Sequence, residues 1–288
     1  MVIIGCEINV FFAFIHHDLL TYHPFSLAFD TFGQGNRTFI AFHGFGQDGF
    51  DYQIFESAKK EEWQIFAFHW FFHHSQSKYP ADRITKNEIS KKEFAALFIQ
   101  FLNDRGIEKI GLMAHSMGGK MAMALVEEIP ERIREVIFFA ADGIEQKFWN
   151  GFSVNNPIGR LAFKSIIRFP WFSLALGKIL LKTGLMNEKI YAVSVAPLKD
   201  KMKRLQIFKT WMSGRYLFPN MDKFNAAVLE HQIDLKGIYG KKDKIIKLSK
   251  ALEWEKHFAP KKIIYPIKTG HIILKKKYVD KLVEIIET

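Results

Sequence analysis

Short apolar runs alternate with amphipathic segments along most of this chain, and that rhythm limits the folds open to it. Phe39–Phe42 and Ile65–Phe68 read as buried strands, as do Ile110–Ala114 and Val136–Ala140. Between them, Thr85-Lys86-Asn87-Glu88 has the pattern of a capping box and is expected to open a helix. Within that helix Phe94, Leu97, Phe98, Phe101 and Leu102 fall on one face at spacings of three and four. Gly106 is expected to end it. A second helical run carries Met117, Met121, Ala124 and Leu125 on one side. Strands alternating with helices of this kind imply an α/β protein whose mostly parallel sheet has helices on both faces.

The rhythm breaks after Asp142. For roughly ninety residues the pattern is helical or irregular, with helices expected over 158–168, 171–182, 197–211 and 220–230 and a break at Pro170. Alternation resumes with a strand over 233–239, a helix over 246–257, a strand over 262–265 and a final helix over 272–286. The simplest division is a core of residues 1–141 plus 231–288, with a helical cap at 142–230 inserted after the sixth strand. An insertion there would lie over the carboxyl ends of the strands, where ligands bind in open α/β sheets.

One cysteine, Cys6, leaves no disulfide within the chain and suits a reducing compartment, so a cytoplasmic location is expected. Residues 1–15 are apolar but lack Lys and Arg and contain Glu7 and Asn9, unlike a secretory signal. The alternation of Val2, Ile4, Cys6, Ile8 and Val10 fits a first strand better. No uncharged apolar run is long enough to span a bilayer.

Charge is unevenly placed. Residues 1–141 hold 13 basic and 17 acidic side chains, whereas 142–288 hold 28 and 13. Of those 28, 24 are lysines, as on an ordinary solvated surface, and no nucleic-acid motif is present. Lys199-Asp200-Lys201-Met202-Lys203-Arg204 offers either a solvated helix face or a basic patch for an anionic substrate or an acidic membrane surface.

Chemistry concentrates at Ala114-His115-Ser116-Met117-Gly118, a serine on a tight turn between a strand and a helix. A serine hydroxyl is a weak nucleophile without an adjacent base. His271, after Thr269-Gly270 and past the last strand, is the candidate base. Asp243, in Tyr239-Gly240-Lys241-Lys242-Asp243, is the candidate group to orient it. His231 and His257 are rival bases on or near helices; Asp142, at the end of a strand, is a rival acid, and Asp234 sits at the wrong end of its strand. An oxyanion needs preorganised N–H donors. Met117 N–H at a helix start and Phe45 N–H in the loop His43-Gly44-Phe45-Gly46-Gln47 are the candidates. His43 is expected to brace that loop and Gln47 to reach into the pocket; Phe45, His115 and Met117 are expected to contact substrate.

The segment matches G-x-S-x-G with alanine in the first glycine position. With the His-Gly-Phe-Gly loop, the Gly-x-x-Asp turn and the late Gly-His, the chain resembles the α/β-hydrolase superfamily in its lid-bearing form. The resemblance implies an eight-stranded, mostly parallel sheet with the second strand antiparallel. It also implies Ser116 as nucleophile, His271 as base and Asp243 as orienter, with no metal or cofactor. Relatives with this fold and an aspartate nucleophile include the dehalogenases and epoxide hydrolases, and Ser116 argues against both. The cap segment is rich in Phe148, Trp149, Phe152, Leu161, Phe163, Phe169, Trp171, Phe172, Leu174 and Trp211. An apolar roof of that kind favours an apolar acyl substrate and an esterase. The same triad also serves carbon–carbon bond hydrolases, acyltransferases and slow-turnover ligand receptors of this fold.

Overall fold

The computed structural model describes residues 18–145, 154–188, 191–192 and 195–288. The first strand expected near residues 2–10 lies outside them, as do Phe148, Trp149 and Phe152. Eight strands form one sheet: β1 (Asp18–Tyr22), β2 (Phe25–Phe32), β3 (Arg37–Phe42), β4 (Trp63–His69), β5 (Ile110–His115), β6 (Ile133–Phe139), β7 (Asp234–Gly240) and β8 (Ile264–Ile267). Their order across the sheet is β1-β2-β4-β3-β5-β6-β7-β8. β2 runs antiparallel to both neighbours, and every pair from β4 to β8 is parallel. This is the expected sheet, one antiparallel strand included.

Nine α-helices lie among the described residues. They are α1 (Glu56–Lys59), α2 (Lys91–Asp104), α3 (Gly118–Glu128), α4 (Pro157–Arg168), α5 (Pro170–Lys182), α6 (Lys201–Ser213), α7 (Met221–Glu230), α8 (Leu248–Glu255) and α9 (Val279–Glu287). Adjacent strand residues point to opposite faces, and β6 shows both faces covered. Phe138 meets Phe224 of α7 at 6.1 Å between ring centroids, while Phe139 meets Phe55, beside α1, at 6.0 Å. The expected apolar stripe of α2 is fully buried. Phe98 and Phe101 stand edge-on to Phe68 at 4.9 and 5.3 Å, so aromatic packing clamps this helix to the sheet.

Some helix starts differ from expectation. The capping box that forms is Ser90 with Glu93, not Thr85 with Glu88. Both quartets satisfy the same local pattern. Glu88 is instead buried and receives Arg215 Nη2 at 2.9 Å, and Asn87 takes φ 53°, which no helix tolerates. The last helix begins at Val279 rather than Ile272, because residues 272–275 continue the loop that carries His271.

Between β6 and β7 the chain forms α4 to α7. Pro170 separates α4 from α5, with Phe169 before it at φ −125°, ψ 69°, outside the helical region. α6 starts at Lys201 rather than Pro197, because Asp200 caps it by accepting from Lys203 N at 2.9 Å. α7 packs against α3, with Phe224 and Val228 buried.

Candidate active site

Three loops at the carboxyl ends of β5, β7 and β8 converge on Ser116. The serine directly follows β5 with φ 49°, a strained value for a residue with a Cβ. The strain is held by hydrogen bonds on both sides. Ser116 N donates to Phe139 O at 3.1 Å, and Ser116 O accepts from Gly119 N at 2.9 Å and Asp142 N at 2.8 Å. The turn leaves no room for side chains behind it. A Cβ on Gly118 would stand 2.2 Å from Phe42 O, and one on Gly119 2.6 Å from the Ala141 Cβ. Ala114, in the first glycine position of the motif, fits fully buried.

The candidate base and orienter meet the serine in a continuous chain. Ser116 Oγ lies 2.9 Å from His271 Nε2, and His271 Nδ1 lies 2.8 Å from Asp243 Oδ2. Gly240 makes this convergence possible, since a Cβ there would collide with Gly270 O at 2.3 Å. Asp243 is fixed by its own turn. Its N–H donates to Gly240 O at 3.0 Å, and its Oδ1 accepts from Ile245 N at 2.7 Å and Ile246 N at 3.1 Å. That occupies one carboxylate oxygen and leaves the other for the imidazole.

The rivals stand elsewhere. Asp142 pairs with Lys120 Nζ at 2.6 Å, Asp234 pairs with Lys261 and Lys236 at the opposite end of β7, and His231 and His257 are exposed.

The loop after β3 closes over the serine. A Cβ on Gly44 would lie 2.3 Å from Gln47 Oε1, 2.9 Å from His115 Nδ1 and 3.2 Å from the Ser116 Cβ, so glycine lets the loop come this close. His43 braces the loop in a neutral form: Nδ1 donates to Gly44 O at 2.7 Å, and Nε2 accepts from Trp70 N at 2.9 Å. Burial, with the neighbouring histidines, holds its pKa well below the ordinary value. The Phe45 ring is partly exposed and edge-on to His73 at 5.2 Å. Met117 occupies the N-cap of α3, where leading N–H groups lack intrahelical partners and the helix dipole favours negative charge.

His115, expected to contact substrate, is fully buried. Its Nδ1 faces Gln47 Oε1 at 2.5 Å and its Nε2 faces the main-chain oxygen of His271 at 3.1 Å. Gln47 in turn donates to Asp51 Oδ2. A row of side chains, Asp51-Gln47-His115, thus runs to the backbone of His271, the candidate base. The sequence suggests Gln47 for the pocket; the structure turns it to His115. Desolvation lowers the His115 pKa to about 4 and raises that of Asp51 to about 6.

Beside Met117 lies a cavity of about 20 Å³ walled by Trp70, Met121, Trp211, Leu217 and Phe218. The Lys120 ammonium closes it, 4.3 Å from the Trp211 ring and 4.2 Å from that of Phe218. The remaining apolar residues of the expected roof divide. Trp211 is half-buried against the core, whereas Leu161, Phe169, Trp171 and Phe172 face solvent. Among the described residues no cluster of His, Cys, Asp or Glu is arranged to hold a metal ion.

A sequence model of the alpha/beta hydrolase fold matches residues 37–278, and the chain belongs to that family. A Mycoplasma pneumoniae protein provisionally named esterase/lipase 2 is 29% identical over 105 residues, which is 36% of this chain and 37% of that protein. The match therefore spans little more than a third of that relative's length. A thermophilic esterase from Thermogutta terrifontis superposes with a TM-score of 0.64 at 14% identity, covering 94% of this chain and 97% of that one. The thioesterase domain of the curacin biosynthetic pathway superposes with a TM-score of 0.61 at 13% identity, covering 95% and 99%. At such identities these likenesses speak to the fold.

Proposed function

We propose that this chain is a serine hydrolase that cleaves a carboxylic ester of an apolar acyl group. The observation that carries the reading is the unbroken chain from Ser116 Oγ through His271 to Asp243, at 2.9 and 2.8 Å, on a serine held at φ 49°. Ser116 attacks the acyl carbon while its proton passes to His271 Nε2. Asp243 holds the ring so that Nε2 faces the serine, and it stabilises the imidazolium that forms. The N–H groups of Met117 and Phe45 receive the oxyanion. The tetrahedral adduct collapses as His271 returns the proton to the leaving alkoxide, and the alcohol departs. Water, activated by the same histidine, then attacks the acyl-enzyme and releases the acid.

The helices between β6 and β7 act in this reading as a cap, and the cavity beside Met117 receives the acyl chain. Its volume holds about one water molecule, so short acyl groups are the expected substrates unless α6 moves. Nucleophile, base and orienter are all supplied by side chains of this chain. A panel of p-nitrophenyl esters from acetate to decanoate tests the proposal. Turnover is expected at the short end and is lost in Ser116→Ala; equal turnover in that variant contradicts the assignment.

A further inference from the structure

The helical pair α4 and α5 carries more apolar surface outward than any other part of the described chain. Of the 17 large apolar side chains that are exposed among the described residues, nine lie within 158–185. Phe169, Trp171 and Phe172, at the turn between the two helices, are 55%, 69% and 62% exposed, and Leu161, Ile179 and Leu185 are 67%, 57% and 79% exposed. Exposed apolar surface concentrated in this way marks a contact site.

The pair is anchored from its other side. The Phe163 ring meets Phe208 of α6 at 5.5 Å, Arg204 Nε donates to Ile167 O at 3.2 Å, and Gly177 lies under Val195. These contacts use up the inward face, and among the described residues the outward one is left uncovered.

Charge indicates what covers it. From Val154 to Asn187 there is no Asp or Glu, while Arg160, Lys164, Arg168, Lys178 and Lys182 are present. Lys164, Arg168, Lys178 and Lys182 are exposed among the apolar residues. Trp and Phe beside Lys and Arg, on helices with no acidic group, suit a layer of acyl chains beneath anionic headgroups. The helices have 12 and 13 residues, about 18–20 Å each, too short to cross a hydrocarbon core of about 30 Å. They can only lie along the surface.

We propose that α4 and α5 dock this protein on an anionic lipid surface, with the Phe169–Phe172 turn inserted among the acyl chains. The residues involved differ from the basic run at Lys199–Arg204 singled out from sequence. Arg204 there turns inward to Leu198 O at 2.6 Å and is not available to a headgroup. The docking does not depend on what Ser116 attacks.

Co-sedimentation of the full chain with vesicles of phosphatidylglycerol, or of phosphatidylcholine alone, tests it. Binding is expected on the anionic vesicles, weakening as salt is raised. Trp171→Ser with Phe172→Ser, and separately Lys178→Glu with Lys182→Glu, are each expected to weaken that binding by about tenfold or more. Turnover of a soluble p-nitrophenyl ester should stay within about twofold of the parent in both variants, which separates lost docking from lost folding or lost catalysis. Three results would overturn the proposal: no sedimentation with anionic vesicles, binding that both variants retain in full, or a stable dimer in vesicle-free solution that Trp171→Ser with Phe172→Ser dissolves. The last would assign the face to a second copy of the chain.

Discussion

His115 Nε2 lies 3.1 Å from the main-chain oxygen of His271, so the residue before the serine reaches the backbone of the candidate base. A neutral imidazole has one N–H, and His115 stays neutral down to about pH 4. It therefore cannot donate both to Gln47 Oε1 and to His271 O. Donation to His271 O therefore needs the Gln47 amide turned over from the orientation in which it donates to Asp51, with its N–H toward His115 Nδ1 and its oxygen toward a protonated Asp51. Gln47→Leu removes that support. We expect kcat to fall about tenfold through misplacement of the base, with KM within about twofold and Ser116 still reactive. An unchanged kcat would show that the row beneath the triad does not position it.

Asp51 ties the same row to pH. Its folded-state pKa of about 6 lies above the ordinary 3.8 because burial disfavours its charge. The folded protein therefore holds this proton more tightly than the unfolded chain. Stability from this group is present below pH 3.8 and is lost as pH rises toward 6. Asp51→Asn keeps a donor toward Gln47 at every pH. Thermal melting should show a gain of about 1–2 kcal/mol at pH 8, after allowance for partial solvent screening, and none at pH 3.5. Equal gains at both values would refute the titration argument.

Asp243 and Asp142 separate by what their loss damages. Asp243→Asn keeps the shape but disturbs the tautomer of His271, and kcat should drop about 10⁴-fold with little change in melting temperature. Asp142→Asn breaks a buried pair with Lys120. It should cost about 2–4 kcal/mol of stability while kcat stays within about tenfold. The reverse pattern would make Asp142 the acid.

Trp211 sets the acyl chain length if the cavity beside Met117 is the acyl site. Trp211→Ala enlarges it, and kcat/KM for the hexanoate ester relative to the acetate should rise about tenfold. A ratio unchanged by the substitution would place the acyl chain elsewhere.

The grouping of Ser116, His271 and Asp243 was legible in the sequence because each follows a strand end and carries a local marker: the elbow at Ser116, Gly-x-x-Asp at Asp243, Gly-His at His271. The buried face of α2 was legible through its spacing. The helix start at Ser90 was not, because Thr85 and Ser90 offer the same local box, and the choice falls to Arg215, 127 residues beyond Glu88. Nor was the direction of Gln47, which depends on a histidine 68 residues away. The apolar residues of α4 and α5 suggested a roof by composition. Composition does not say which face of a helix is outward, and the contacts of Phe163 and Gly177 turn Trp171 and Phe172 to solvent.

In the proposed mechanism His271 activates Ser116 for attack on an acyl carbon. Intact-mass measurement after brief exposure to a fluorophosphonate, followed by peptide mapping, tests it directly. A single adduct on Ser116, absent in Ser116→Ala and formed at least about a hundredfold more slowly in His271→Ala, is the expected result. An adduct on another residue, or one on Ser116 that forms at the same rate without His271, would contradict it.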